Sequence, residues 1–371
     1  MTLRGARVAL NARTAERVDL GIEAGRIRIG AACGGPDIDC AGMLILPGLI
    51  NAHDHLEFGL YPRLGRGPYR NATEWARDVH RPGDPPIREH RAVARETRLW
   101  LGGLKNLLSG ATTVMHHNPY APVFDGPFPV RVVKRYGWAH SIAFAPDFAV
   151  RYRETPRDVP FFIHAGEGTD HCAAIEFQHL EEAGALGANT VIVHGVAGDP
   201  ERLRRTGAGL VWCPTSNLFS LGQTLRGRAL DSGVPIALGS DSPITAQGDL
   251  IDEMAAAARI VGWERVYHMV TADAARLLRL HDGEGAIREG GVADLVAIRD
   301  RGLTPAESLC ELRPLAVWIG GELRAQAGES GEIHLEGRGR YRVALPVEPH
   351  LREAMRVLGP ELRLGGKRVA A

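Results

Sequence analysis

Lysine is almost missing from this chain. It stands only at 105, 134 and 367, so nearly all of the 44 basic residues are arginine. Net charge is missing too, because 44 acidic residues balance the basic ones and the isoelectric point is about 7.3. That balance gives no support for binding nucleic acid or another polyanion. Uncharged apolar runs stay short of the roughly 18 residues a membrane span needs. The N-terminus lacks a basic stretch followed by an apolar one, so no secretory signal is expected. Cysteine is scarce and scattered, at 33, 40, 172, 213 and 310, with no CxxC pair. This excludes a disulfide framework and a cysteine zinc site, and it suits a reduced cytoplasm.

What is present is patterned in two ways. Residues 4–40 hold short alternating runs, Ala6 to Leu10, Arg17 to Ile22 and Arg26 to Ile29, separated by glycine and polar residues. These read as short antiparallel strands. From Met43 onward, apolar strands alternate with helix-length amphipathic stretches. Strands are expected near 44–53, 111–116, 139–145, 160–164, 190–195, 209–213 and 234–240. Helices are expected near 87–108, 172–185, 199–206 and 249–262. Such alternation over about 240 residues predicts a parallel sheet closed as a (β/α)8 TIM barrel, spanning 47–285. Seven strands are clear, and 117–160 is cramped for the two units it should hold, so a distorted barrel is expected. Past 286 the short-strand pattern returns, at Asp294 to Ile298, Ala316 to Ile319 and Glu322 to Ala325. The economical expectation is one small β-sandwich domain built from 1–46 and 286–371, with the barrel inserted between. Pro349 to Leu358 reads as a helix that packs on the surface or makes a homo-oligomer contact.

His53 and His55 sit at the end of the apolar run Met43 to Ile50. Alternate side chains of a strand share a face, so the two imidazoles point the same way and Asp54 points away. Two converging imidazoles suit a divalent metal. A pair of hydrogen-bonded core histidines is the other reading. Five further strand ends carry chemistry. Phe161-Phe162-Ile163 leads into His164-Ala165-Gly166-Glu167, and Val191-Ile192-Val193 into His194-Gly195. Val211-Trp212-Cys213 leads into Pro214-Thr215-Ser216-Asn217, and Pro235 to Leu238 into Gly239-Ser240-Asp241. Ala111 to Met115 leads into His116-His117-Asn118. The C-terminal strand ends of a barrel face one common site. A lone strand-end histidine is often a hydrogen-bonding residue and a strand-end aspartate often a helix cap. Their joint occurrence is hard to explain that way.

With these residues the chain resembles the amidohydrolase superfamily, in its cytosine deaminase, guanine deaminase and chlorohydrolase branch. The matching text is Leu46 to His55, His164-Ala165-Gly166-Glu167, Gly239-Ser240-Asp241 and Thr271 to Ile298, and the likeness spans about 5–325. The resemblance implies one divalent metal ion, zinc or else iron, held by His53, His55, His164 and Asp241. It also implies catalytic roles for Glu167 and His194. The chemistry is coherent. Asp241 can accept a proton from a metal-activated water. Glu167, three residues past His164, can protonate a ring nitrogen and then the leaving amine. His194 can position the water or polarise the carbon under attack. Relatives with two metals often bridge them by a carboxylated lysine. Lys134 is a candidate for such a bridge, but its surroundings, Val132 to Tyr136, read as a helix unsuited to that role.

The expected activity is therefore hydrolytic deamination of a small amino-substituted heterocycle in the cytoplasm, with a small molecule as the partner and neither nucleic acid nor membrane. A cyclic amidase or chlorohydrolase on the same site is the alternative. A non-catalytic scaffold of the same fold is a third class, against which the full set of metal and proton-transfer residues weighs. Substrate contacts are expected from Glu57, which can meet an amino edge, and from His117 and Asn217. The segment Phe58 to Pro86, rich in Gly, Pro and Arg, has the length of a lid. Its Arg66 and Arg70 could meet an anionic substrate or simply face solvent.

Overall fold

The computed structural model describes residues 1–246, 248–360 and 362–370. Its centre is two all-parallel arcs of strands. In the first, β1 (Leu49–Asp54), β2 (Ala111–His116) and β3 (Arg131–Val132) pair in the order β3-β2-β1. In the second, β4 (Gly137–Ser141), β5 (Phe161–Ala165), β6 (Thr190–His194), β7 (Gly209–Trp212) and β8 (Ile236–Leu238) follow chain order. A parallel bridge from Asp54 to Asp241 joins the end of β1 to the turn just past β8. The runs Phe161-Phe162-Ile163 and Val191-Ile192-Val193 are buried throughout, as strands covered on both faces must be.

The structure corrects several local expectations. The cramped stretch does hold two strands, but β3 is only two residues long. Val132 to Tyr136 is not helical. It leaves β3 and becomes an irregular turn, because the branched, buried Val132 and Val133 fit an extended chain. Lys134 then points outward as an exposed partner of Asp125. The apolar run from 43 is two strands rather than one. Met43–Pro47 pairs with Leu295–Arg299, and β1 begins at Leu49. Gly48 stands at the joint, where a Cβ would lie 2.2 Å from Thr112 Oγ1. The expected lid loop carries a helix, α1 (Ala72–Val79), whose first turn is capped by Asn71 accepting from the Glu74 amide. The single helix expected at 87–108 is two, α2 (Pro85–Arg91) and α3 (Arg95–Leu108).

Strands from both ends of the chain share one ten-stranded sheet. Arg7–Ala9 runs parallel to Met43–Pro47, and that strand runs antiparallel to Leu295–Arg299. Ala316–Ile319, Glu322–Ala327 and Gly339–Val343 extend the sheet. A four-stranded sheet of residues 2–39 packs beside it, with Leu3, Leu20 and Ile27 in one apolar cluster with Ile45, Leu295 and Trp318. The C-terminal helix Glu348–Leu358 lies on α2 and α3, with the His350 ring stacked on Trp100 at 4.6 Å. Among the described residues, no helix is long and apolar enough to cross a membrane.

Candidate metal centre

The ends of β1, β2, β5, β6 and β8 bring a cluster of histidines and carboxylates together. Ligand-type atoms of His53, His55, His117 and His164 lie within 4.8 Å of one another, and so do those of His53, His194 and Asp241. His53 belongs to both groups and is wholly buried. Backbone geometry at two of the strand ends is unusual. His194 and Asp241 adopt φ of +70° and +52°, a region that costs a non-glycine residue energy and recurs at functional sites. These turns aim both side chains at the same point.

Hydrogen bonds sort the histidines by role. His117 Nε2–H donates to the Ala139 carbonyl at 3.0 Å, which leaves its Nδ1 to accept from His53 Nδ1–H at 3.3 Å. His53 Nε2 therefore carries a lone pair. It has no hydrogen-bond partner, and it faces Asp241 Oδ1 at 3.5 Å. His164 Nδ1–H donates to the His140 carbonyl at 2.7 Å, which frees its Nε2 in the same way. His55 Nε2 lies 3.8 Å from Asp241 Oδ1. Burial lowers the pKa of His53, His55, His117 and His164, and neighbouring imidazoles add to the effect. That shift favours the neutral ring, whose free nitrogen can offer a lone pair. Burial pushes the Asp241 carboxyl upward, but the close approach of His53 and the nearby His194 and His55 outweigh it and hold the group below the usual carboxylate range. A buried imidazole nitrogen without a partner beside an ionised carboxylate fits a divalent cation, which His53, His55, His164 and Asp241 could hold.

Glu167 and His194 stand beside this group. His194 Nε2 is 3.6 Å from Glu167 Oε1 and 4.0 Å from Asp241 Oδ2. Burial pushes the Glu167 carboxyl up to about 7, with His194 opposing and Asp241 reinforcing. Two of the expected substrate contacts have other work. Asn217 is fully buried, and its Oδ1 accepts from His194 Nδ1–H at 2.7 Å, so it orients that ring. His117 is fully buried with both nitrogens engaged, so it orients His53 and is closed to a substrate. Glu57 does line the cavity, where it accepts from Asn118 at 2.9 Å.

Several supporting residues were not anticipated. Ser216 and Thr245 hydroxyls donate to Asp241 Oδ2 at 2.7 and 2.9 Å. The Gly166 amide donates to Glu176 at 2.8 Å, which fixes the turn that presents Glu167. Asp54 does point away from the histidines, into a buried ion pair with Lys105 at 2.7 Å. Above the cluster opens a cavity of about 970 Å³. Its floor includes His55, His164, Glu167, His194 and Asp241, and α1 forms part of its wall through Ala72, Trp75 and Ala76. The Ala72 amide donates to the Glu167 carbonyl at 2.9 Å, so this wall is tied to the Glu167 turn.

The model of the Amidohydrolase family matches residues 149–324, the stretch that carries β5 to β8 with His164, Glu167, His194 and Asp241. Over that stretch the chain is similar to an amidohydrolase family domain. The chain is 25% identical to the 5-methylthioadenosine/S-adenosylhomocysteine deaminase of Natronomonas pharaonis, over 91% of this chain and 90% of that protein. It is also 25% identical to a 5'-deoxyadenosine deaminase of Methanothrix thermoacetophila, over 81% of this chain and 86% of that one. Among solved structures, an adenosine deaminase from Xanthomonas campestris with bound zinc superposes with a TM-score of 0.72 at 16% identity, covering 96% and 97% of the two chains. Atrazine chlorohydrolase TrzN from Arthrobacter aurescens, complexed with zinc, gives 0.68 at 19% identity over 96% and 99%. The chain shares the fold of these two structures over nearly its whole length.

Proposed function

We propose that this chain is a metal-dependent hydrolase that deaminates an amino-substituted nitrogen heterocycle, and that adenine nucleosides are the first class to test. The two parallel arcs are then the halves of a distorted (β/α)8 barrel, about 47–285. The terminal strands are a composite β-domain of 1–46 and 286–371. The observation that carries the reading is the unpartnered His53 Nε2 facing Asp241, with Glu167 and His194 alongside. Relatives matched over most of their length and named as deaminases of adenine nucleosides support it.

A divalent cation, zinc or else iron, held by His53, His55, His164 and Asp241 would supply hydroxide at neutral pH by lowering the pKa of its water to about 7. Asp241, ionised and held by Ser216 and Thr245, accepts a proton from the attacking water. Glu167 keeps its proton near neutrality, so it can give that proton to a ring nitrogen and later carry one to the departing amine. His194, oriented by Asn217, sits between the two carboxylates and holds the water and the carbon under attack in register. Zinc-loaded protein should release ammonia from an amino-purine nucleoside, a pyrimidine or a pterin. Release of halide from a chlorinated heterocycle, with no ammonia from any amine, would move the assignment to a chlorohydrolase.

A further inference from the structure

The chemistry above leaves one wall of the cavity unused. There α2 ends and α3 begins, and Arg91, Arg95 and Arg98 line the space that also holds the metal centre. Arg91 is the last residue of α2 and Arg95 the first of α3, with Arg98 less than a turn further on. Arg98 Nε–H donates to the Val93 carbonyl at 3.1 Å. Among the described residues, no ion pair is made by any of the three. The nearby Glu353 is committed elsewhere. It accepts from the Ala94 amide at 2.9 Å and from the Thr97 hydroxyl at 2.5 Å, so it caps the start of α3.

Three like charges around one concavity repel each other. Burial lowers the Arg98 pKa, Tyr61 and Glu57 oppose that change, and Arg95 and Arg91 lower it further. Glu57 is the carboxylate in range. Its Oε1 accepts from Asn118, and its single charge cannot neutralise three guanidinium groups. An anion is the partner that relieves this crowding, and guanidinium forks match a carboxylate or phosphate bidentately.

We propose that Arg91, Arg95 and Arg98 form a subsite for an anionic group, a carboxylate or a phosphate, carried by the substrate whose ring lies at the metal centre. That its carrier is a substrate rests on the deaminase reading, but the subsite is testable without turnover. Zinc-loaded protein is titrated at constant ionic strength with benzoate, phenylphosphonate and neutral benzamide, and heat is recorded. At least one anion should bind about tenfold or more tighter than benzamide, and which one wins separates carboxylate from phosphate. Arg91→Gln/Arg95→Gln should weaken that anion by about tenfold or more, a difference of about 1.4 kcal/mol. Arg98→Gln, which removes the half-buried member, should weaken it as well. Both double-variant positions are exposed, so the fold is spared. Anions no tighter than benzamide would overturn the proposal. So would a preference that survives all three substitutions, since an anion seated on the metal would be indifferent to them. Ammonia release is read separately. Its absence with the anion preference intact would remove the deaminase reading and leave the subsite standing.

Discussion

Lys105→Met should destabilise this protein more than any surface substitution. The Lys105 ammonium and the Asp54 carboxylate are 2.7 Å apart with side-chain exposures of 2% and 0%. Asp54 Oδ2 also accepts from Ser240 Oγ at 2.8 Å, Asn106 Nδ2 at 2.9 Å and Asn51 Nδ2 at 3.2 Å. Removing the cation leaves a buried carboxylate with dipoles alone around it, which costs about 3–5 kcal/mol. Unfolding entropy is about 2.1 cal/mol/K per residue near 60 °C, so for a chain of this length the loss is roughly 4–6 °C in Tm. The assay is thermal unfolding of zinc-loaded protein at pH 7, followed by circular dichroism. Because Asp54 stands between His53 and His55, the same variant should also loosen the metal. Dialysis against a chelator should strip it faster than the parent. The decisive comparison is Asp54→Asn/Lys105→Met. That pair removes both charges and keeps an amide to meet Ser240, so it should be more stable than Lys105→Met alone. A single variant within about 1 kcal/mol of the parent, or a double variant worse than the single, would refute the reasoning.

Other expectations follow from the same contacts. Purified protein should bind one divalent ion per chain, and His164→Ala should lower that occupancy because it removes a ligand; two stoichiometric ions by elemental analysis would contradict this. Glu167→Gln should keep the ion and lose turnover by about 10²–10⁴-fold, the usual contribution of a general acid–base group; near-normal ammonia release would remove Glu167 from the mechanism. Asn217→Ala should lower kcat more than it raises KM, since Asn217 orients His194 and is closed to substrate. Burial pushes the Glu253 carboxyl up to about 8, well above its usual value of 4.5. Stability from this group is complete below about 4.5 and is lost as the pH climbs towards 8, so Glu253→Gln should flatten the fall in Tm over that range.

The residues that reach the site were legible for a geometric reason. Period-two alternation and an apolar run locate a strand end, and parallel strands send their C-terminal ends to one place. His53, His55, His164, His194 and Asp241 needed nothing more to be gathered. What alternation cannot state is the partner of the second nitrogen on each ring. His117 and Asn217 were expected at the substrate because both follow strand ends. Their actual partners are Ala139, His53 and His194, which are 22, 64 and 23 residues away in the chain. Roles of this kind depend on long-range contacts that leave no periodic trace. The same limit hid β3, since two residues cannot display a period, and Val132-Val133 beside Lys134-Arg135 imitates a helix turn.

The arginine wall shows a subtler case. Arg91, Arg95 and Arg98 are spaced four and three apart, so on the unbroken helix expected at 87–108 they make one charged stripe. A charged stripe on a helix is ordinarily its solvated face. The chain breaks that helix between Arg91 and Arg95, at Ala92-Val93-Ala94, and Val93 turns fully into the core. The break places the end of one helix and the start of the next on the rim of the cavity, so the three side chains share one concavity while Arg91 and Arg95 stay exposed. The spacing was visible; the break was not, because alanine is a good helix former and gave no stop signal. Restoring the continuity is therefore a test of the geometry itself. Val93→Gln would remove the buried anchor that turns the chain, favour helix through the junction and spread the guanidinium groups. Anion affinity should then fall although all three arginines remain. Unchanged affinity for the preferred anion would mean that the break does not hold the charges together.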